Sequence, residues 1–253
     1  MGFNKKFFTT GGIVASSPAA AGTNYIDMDI TYQLYRSQTT PSNSSAYTFS
    51  FWINFNTLDW SANNQVLIAT GAYPSVAREE VFNSGTTGKW THNFDAGASA
   101  QGSYTQDSAM SISTGQWYHY VIAKNAGSAP TYYLNATPYF FSGSVGADTG
   151  STRINSGSHF HYLFRPQWGG SSGVDAKVAY LQFVDGSALS AGFFYNTNGS
   201  NLTPKEYTGS FGNNGWKILM GDTSDILNDT SGNNNDLTLS GTLSYGSDTI
   251  ITS

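Results

Sequence analysis

The sequence predicts an all-β protein built as a two-sheet antiparallel jelly-roll sandwich. Three observations carry this. Short segments alternate apolar and polar residues with period two. Gly- and Asn-rich turn clusters separate them. Helical periodicity is nearly absent over 253 residues. A chain of this length forms one large sandwich domain, and neither a charged or proline-rich linker nor an internal repeat divides it.

The elements follow in order. Ile26 to Ile30 alternates with Asp27 and Asp29, the pattern of a strand with one wet face. Tyr47 to Phe55 places Tyr47, Phe49, Phe51, Ile53 and Phe55 on one face. Gln65 to Thr70 is a short apolar run. Gln116 to Lys124 is bulky on both faces and reads as a central strand. Further strands are expected at 131–135, 160–164, 178–184 and 216–220, with weaker ones at 237–239 and 249–251. Between them lie Asn83-Ser84-Gly85, Asn125-Ala126-Gly127, Asp185-Gly186 and Asn213-Asn214-Gly215, whose Gly and Asn adopt the positive φ of tight turns. Residues 76–82 and 189–194 each read as one or two helical turns.

Composition narrows the function. The chain has no cysteine, 11% charged residues, 15% aromatics and a formal charge of −5. Disulfide frameworks, thiolate metal sites and cysteine nucleophiles are thereby excluded. Eleven basic against sixteen acidic residues argue against nucleic acid as a partner. No run reaches the ~18 apolar residues of a membrane span, so no membrane insertion is expected. Residues 1–22 carry Lys5 and Lys6, but Thr9 to Gly12 interrupt the apolar core a signal peptide needs. The segment reads as a docking arm. The domain is expected over 23–245, with a short tail at 246–253.

Candidate chemistry is sparse. The three glutamates are Glu79, Glu80 and Glu206. The first two are adjacent and point to opposite faces of a strand, which does not make the paired acids of a glycosidase. Gly169-Gly170-Ser171-Ser172-Gly173 matches a nucleophile elbow in letters, but no helix follows it. His159 and His161 share a strand face without an evident third ligand. Asp222, Asp225, Asp229 and Asp236 are hard-oxygen candidates for calcium, although Asp and Asn equally cap turns. No cofactor is otherwise called for. Trp60, Tyr73, Trp90 and Trp168 are the candidate ligand platforms, placed in or near expected loops with amides close by, because sugar rings stack on aromatic faces. Tyr104 belongs to the same group.

The order Ala46–Phe55 (AYTFSFWINF), Ile112–Asn125 (ISTGQWYHYVIAKN), Thr131–Tyr139 (TYYLNATPY) and Val178–Ala191 (VAYLQFVDGSALSA) resembles the laminin-G-like or concanavalin-A-like jelly roll. The stretch from Phe183, with Leu202–Asp222 and Asp229–Gly241, is similar to virion structural proteins of tailed phages, marine ones especially. Gln33-Leu34-Tyr35-Arg36 resembles a piece of their first strands. The resemblance implies a non-enzymatic virion protein, its arm held by other virion proteins and its sandwich turned outward. That sandwich would sit on a tail fibre or appendage and attach to host-surface glycan, or decorate a capsid. It implies a homo-oligomer, threefold in a fibre or decoration. A jelly-roll polysaccharide hydrolase or lyase is the enzymatic alternative.

Overall fold

The computed structural model describes residues 23–58, 65–71, 78–83, 88–95, 101–144, 152–167 and 172–252. In chain order the strands are β1 (Thr23–Met28), β2 (Gln33–Ser37), β3 (Ala46–Phe55), β4 (Gln65–Thr70), β5 (Arg78–Asn83) and β6 (Trp90–Asp95). Then follow β7 (Gln101–Gln106), β8 (Trp117–Asn125), β9 (Thr131–Leu134), β10 (Thr137–Tyr139), β11 (Phe141–Ser144) and β12 (Phe160–Leu163). The last are β13 (Ala176–Asp185), β14 (Tyr195–Asn198), β15 (Asn201–Pro204), β16 (Trp216–Ile218), β17 (Thr238–Ser240) and β18 (Tyr245–Asp248).

Two antiparallel sheets form the sandwich. One runs β10-β9-β8-β3-β13-β1-β18, with β16 also on β13; the other runs β11-β7-β6-β5-β4-β12-β2-β17. The chain passes from one sheet to the other at both sides. Phe140 links edge strand β10 to edge strand β11, and Gly241–Ser244 link β17 to β18. Each crossing joins an edge strand of one sheet to an edge strand of the other.

The inward faces are aromatic. Phe49, Phe51, Tyr120, Phe164, Phe183 and Trp216 are fully buried, with Phe51 stacked on Tyr120 at 5.4 Å and Phe183 on Trp216 at 5.8 Å. At about 25 cal/mol per Å² of apolar surface, these rings dominate the driving force. Strand β3 is buried at all ten positions. Its second face is shielded because 189–211 folds over that sheet and packs Ala191, Phe194 and Phe211 on Val121 and Val184. Strand β8 is buried at eight of nine positions, the central strand its bulky residues predict.

Some expectations are corrected. Residues 78–83 form strand β5 rather than a helical turn. The inward residue Glu79 is charged, which hides the alternation. The short turn at 189–194 exists as a 3-10 turn, Ala191–Phe193. The last strand is Tyr245–Asp248, not 249–251. Strand β18 pairs with β1, and Ile250 beyond it is buried.

Candidate functional site

The chain's polar groups divide into those buried and consumed by the fold and those that face an open cleft. Glu79 of β5 is the extreme of the first kind. Its Oε1 accepts from Tyr47 Oη at 2.9 Å and from His92 Nε2 at 2.7 Å. Oε2 accepts from the backbone N–H of Arg153 at 2.6 Å and of Ile154 at 2.9 Å. His92 Nδ1 lies 3.1 Å from the Tyr132 hydroxyl. Burial pushes the Glu79 carboxyl up, but the hydrogen bonds and charge of His92, the Ile154 N–H and the charge of Lys124 bring it below its ordinary value. It stays ionised, welding both sheets to segment 152–155. Every oxygen is taken by a donor, so Glu79 has no lone pair directed at a substrate.

Glu80 faces the other way and pairs with Arg78 at 3.5 Å, and Glu206 pairs with Lys217 at 3.2 Å. The three glutamates stand in three separate environments. The histidine pair is also resolved. His161 Nε2 donates to Ile154 O at 2.7 Å, and its Nδ1 accepts from Trp216 Nε1 at 3.2 Å. Both nitrogens are used in the neutral tautomer, and burial lowers its pKa to about 3. No lone pair remains for a metal. His119 is likewise buried, stacked on Trp52 at 5.0 Å, with its pKa lowered by burial to about 3.

The C-terminal acidic run is turn chemistry. Asp229 accepts from the N–H groups of Lys217, Ser231 and Asn235 and from Ser231 Oγ, at 2.8–2.9 Å. Asp222 closes a turn onto Ser224. Among the described residues no group of three or more acids or histidines is arranged to hold a metal. Buried Arg36 binds Asn214 and Asn235; burial lowers its pKa to about 10 against the pull of Asp229 and Asp236.

Of the aromatic platforms, Trp60, Tyr73 and Trp168 lie outside the described residues. Trp90 is corrected: it is fully buried in β6 with its ring edge-on to Tyr120 at 6.1 Å. A ring with no solvent face is core, not a stacking surface. Tyr104 is buried as well. The alternation Trp90, His92, Phe94 against Thr91, Asn93, Asp95 was the signal that places them in a strand.

The second kind of polar group forms an open cleft where the ends of β1 and β3 meet the start of β13. A volume of about 210 Å³ is lined by Asp27, Met28, Asp29, Tyr32, Asn56, Asp175 and Ser244. Asn56 Nδ2 bridges Asp27 Oδ1 at 3.1 Å and Asp175 Oδ1 at 2.9 Å, and Thr57 Oγ1 donates to Asp175 Oδ2 at 3.1 Å. Asp29 accepts from Thr31 Oγ1 and N, which lower its pKa. The Asn56 amide and the Thr57 hydroxyl are spent on the carboxylates, while carboxylate oxygens remain to accept. The cleft suits a donor-rich ligand, such as a diol or an ammonium group, beside the Tyr32 ring. Sequence reasoning saw Asp27 and Asp29 as a wet strand face. It missed the cleft because Asn56, Asp175 and Ser244 arrive from distant segments.

Comparison with solved structures places this architecture. A Bacteroides ovatus protein provisionally assigned to carbohydrate binding matches with a TM-score of 0.57 at 12% identity, over 89% of this chain and 60% of its own. The fold is a lectin-like jelly roll. The SAP-like pentraxin of Limulus polyphemus aligns at TM-score 0.47 and 17% identity over 66% of this chain and 78% of its own. A tailspike domain of bacteriophage CBA120 aligns at 0.46 and 13%, over 72% and 31%. This chain thus spans less than two thirds of the Bacteroides and tailspike chains. No protein-family model matches it, and no curated protein sequence does. Among the described residues no helix is long and apolar enough to cross a membrane.

Proposed function

We propose that the protein is a non-enzymatic virion component of a tailed phage whose outward jelly roll binds host-surface glycan. The observation that carries the binding reading is the Asp27–Asn56–Asp175 cleft with Tyr32 at its side. Carboxylate acceptors, an amide and an aromatic ring are what sugar hydroxyls and an apolar sugar face require. The Bacteroides neighbour's assignment to carbohydrate binding agrees with it. The non-enzymatic reading is supported by the glutamates: each is either saturated by donors or ion-paired, and no two face one point. Placement on a particle rests on the phage-like segments from Phe183 to Gly241 and on the arm-like residues 1–22. The arm would hold the protein on other virion proteins, with copies arranged as an oligomer.

Two measurements test this. Mass spectrometry of purified particles should find the protein in fixed copy number; its absence would refute the virion role. A glycan array should return a neutral or amino sugar, with binding reduced at least about tenfold by Asp175→Asn, the loss of one charge-assisted hydrogen bond. A polysaccharide shortened by the protein would instead establish the enzymatic alternative.

A further inference from the structure

Glycine follows Asn or Asp at three places in the chain: Asp185–Gly186, Asn198–Gly199 and Asn214–Gly215. At such a step the glycine amide nitrogen has access to the preceding side-chain carbonyl carbon, because no Cβ blocks the approach. The fold treats the three steps unequally. Asn214 is fully buried. Its Oδ1 accepts from Arg36 Nη1 at 3.0 Å and from the Thr39 N–H at 2.9 Å, and its Nδ2 donates to Asn155 Oδ1 at 2.9 Å. The Gly215 N–H donates to Gly212 O at 3.4 Å. Asp185 is buried as well. Its Oδ1 accepts from Asn155 Nδ2 at 2.7 Å, its Oδ2 from the Asn214 N–H at 3.1 Å, and the Gly186 N–H donates to Ala46 O at 2.9 Å. In both steps partners hold the side chain and the following nitrogen, so the two do not turn toward each other.

Asn198–Gly199 is different. It lies at the tip of the β14–β15 hairpin, where Asn198 pairs with Asn201 across a two-residue turn. Gly199 has a φ of 63° and open space around its Cα, as a hairpin turn with glycine first requires. Asn198, Gly199 and Ser200 are all exposed. Among the described residues neither the Asn198 side chain nor the Gly199 N–H has a hydrogen-bond partner.

We infer that Asn198 is a site of spontaneous deamidation, with water as co-reactant and isoaspartate as the main product. The Gly199 nitrogen attacks Asn198 Cγ and gives up its proton. The new N–Cγ bond closes a succinimide, and the Cγ–Nδ2 bond breaks to release ammonia. Water then opens the ring. Hydrolysis at the main-chain carbonyl leaves isoaspartate, and hydrolysis at the side-chain carbonyl leaves aspartate. Either product adds one negative charge, taking the chain from −5 to −6.

Isoaspartate also adds a methylene to the backbone, which removes the Asn198–Asn201 register at the turn. The damage stays at the tip. Strand β15 is held independently: the Leu202 N–H donates to Thr252 Oγ1 at 3.0 Å, and Leu202 O accepts from the Thr252 N–H at 3.1 Å. The ageing protein therefore exists in two charge forms that share one core.

The test is incubation of the full-length chain in mildly alkaline buffer, folded and in urea. Peptide mass spectrometry reads each asparagine, and methylation by an isoaspartate methyltransferase reads the product. In the folded chain Asn198 should convert at least about tenfold faster than Asn214. In urea the two should convert alike, since only the fold protects Asn214. Asn198→Gln, at an exposed position, should abolish the acidic shift in isoelectric focusing. The converted chain should keep its melting temperature. An Asn198 amide that survives in the folded chain while urea exposes it to conversion would overturn the inference. So would Asn214 converting in step with Asn198 in the folded chain, or an acidic shift that persists in Asn198→Gln.

Discussion

Glu79 and the Asp27–Asp175 pair put the same functional group to opposite uses. Glu79 is enclosed between the sheets and surrounded by donors from β3, β6 and segment 152–155. The two aspartates sit at the ends of strands, bridged by one exposed amide, with Asp29 open beside them. A carboxylate becomes structure when donors and burial consume it, and becomes a site when it keeps lone pairs facing a cleft. Charge alone does not tell the two apart.

Acid titration breaks the comparison most strongly, because it attacks the interior and leaves the cleft's geometry to follow. His119 and His161 are held neutral down to about pH 3 in the fold. The unfolded chain protonates them below about 6.5. Between those values the unfolded state binds more protons, so stability falls as pH falls. At pH 4.5 the two together cost on the order of 5 kcal/mol. Glu79, whose folded pKa lies below its ordinary value, adds a loss that begins below about pH 4.5 and grows as pH drops through that lowered pKa. Denaturant unfolding at pH 7, 5.5 and 4.5 should show this descent; a flat profile would contradict the burial of both imidazoles.

Removing the interior acid comes next. Glu79→Ala leaves His92, Tyr47 and two backbone N–H groups without their acceptor, and should cost about 3–5 kcal/mol. Asn155→Ala is smaller, about 1–3 kcal/mol, since Asn155 ties Asp185 and Asn214 at 2.7 and 2.9 Å. Trp90→Phe sharpens the aromatic side: as a core residue it should lower stability and leave glycan binding unchanged. Asp175→Asn should move stability least, within about 0.5 kcal/mol as for an open surface position.

Much of the fold was legible. The Tyr47–Phe55 and Gln116–Lys124 runs announced the central strands because their residues are hydrophobic wherever the sandwich is covered. Strands β5 and β6 were hidden, since Glu79 and His92 point inward in place of apolar side chains. The same two residues make the buried network, so the polar interior obscured the strand and the site together. Half the cleft was visible as Asp27 and Asp29. The other half depends on register: Asp175 and Asn56 meet because Ala176 pairs with Phe55 across β13 and β3, which no local pattern encodes.

Sugar titration of the chain and its Asp175→Asn and Glu79→Gln variants, at pH 7 with melting followed in parallel, tests the division most directly. Asp175→Asn should lose at least about tenfold in affinity at unchanged melting temperature, while Glu79→Gln should lose stability and, where still folded, keep its affinity. Affinity untouched by Asp175→Asn, or abolished in folded Glu79→Gln, would contradict it.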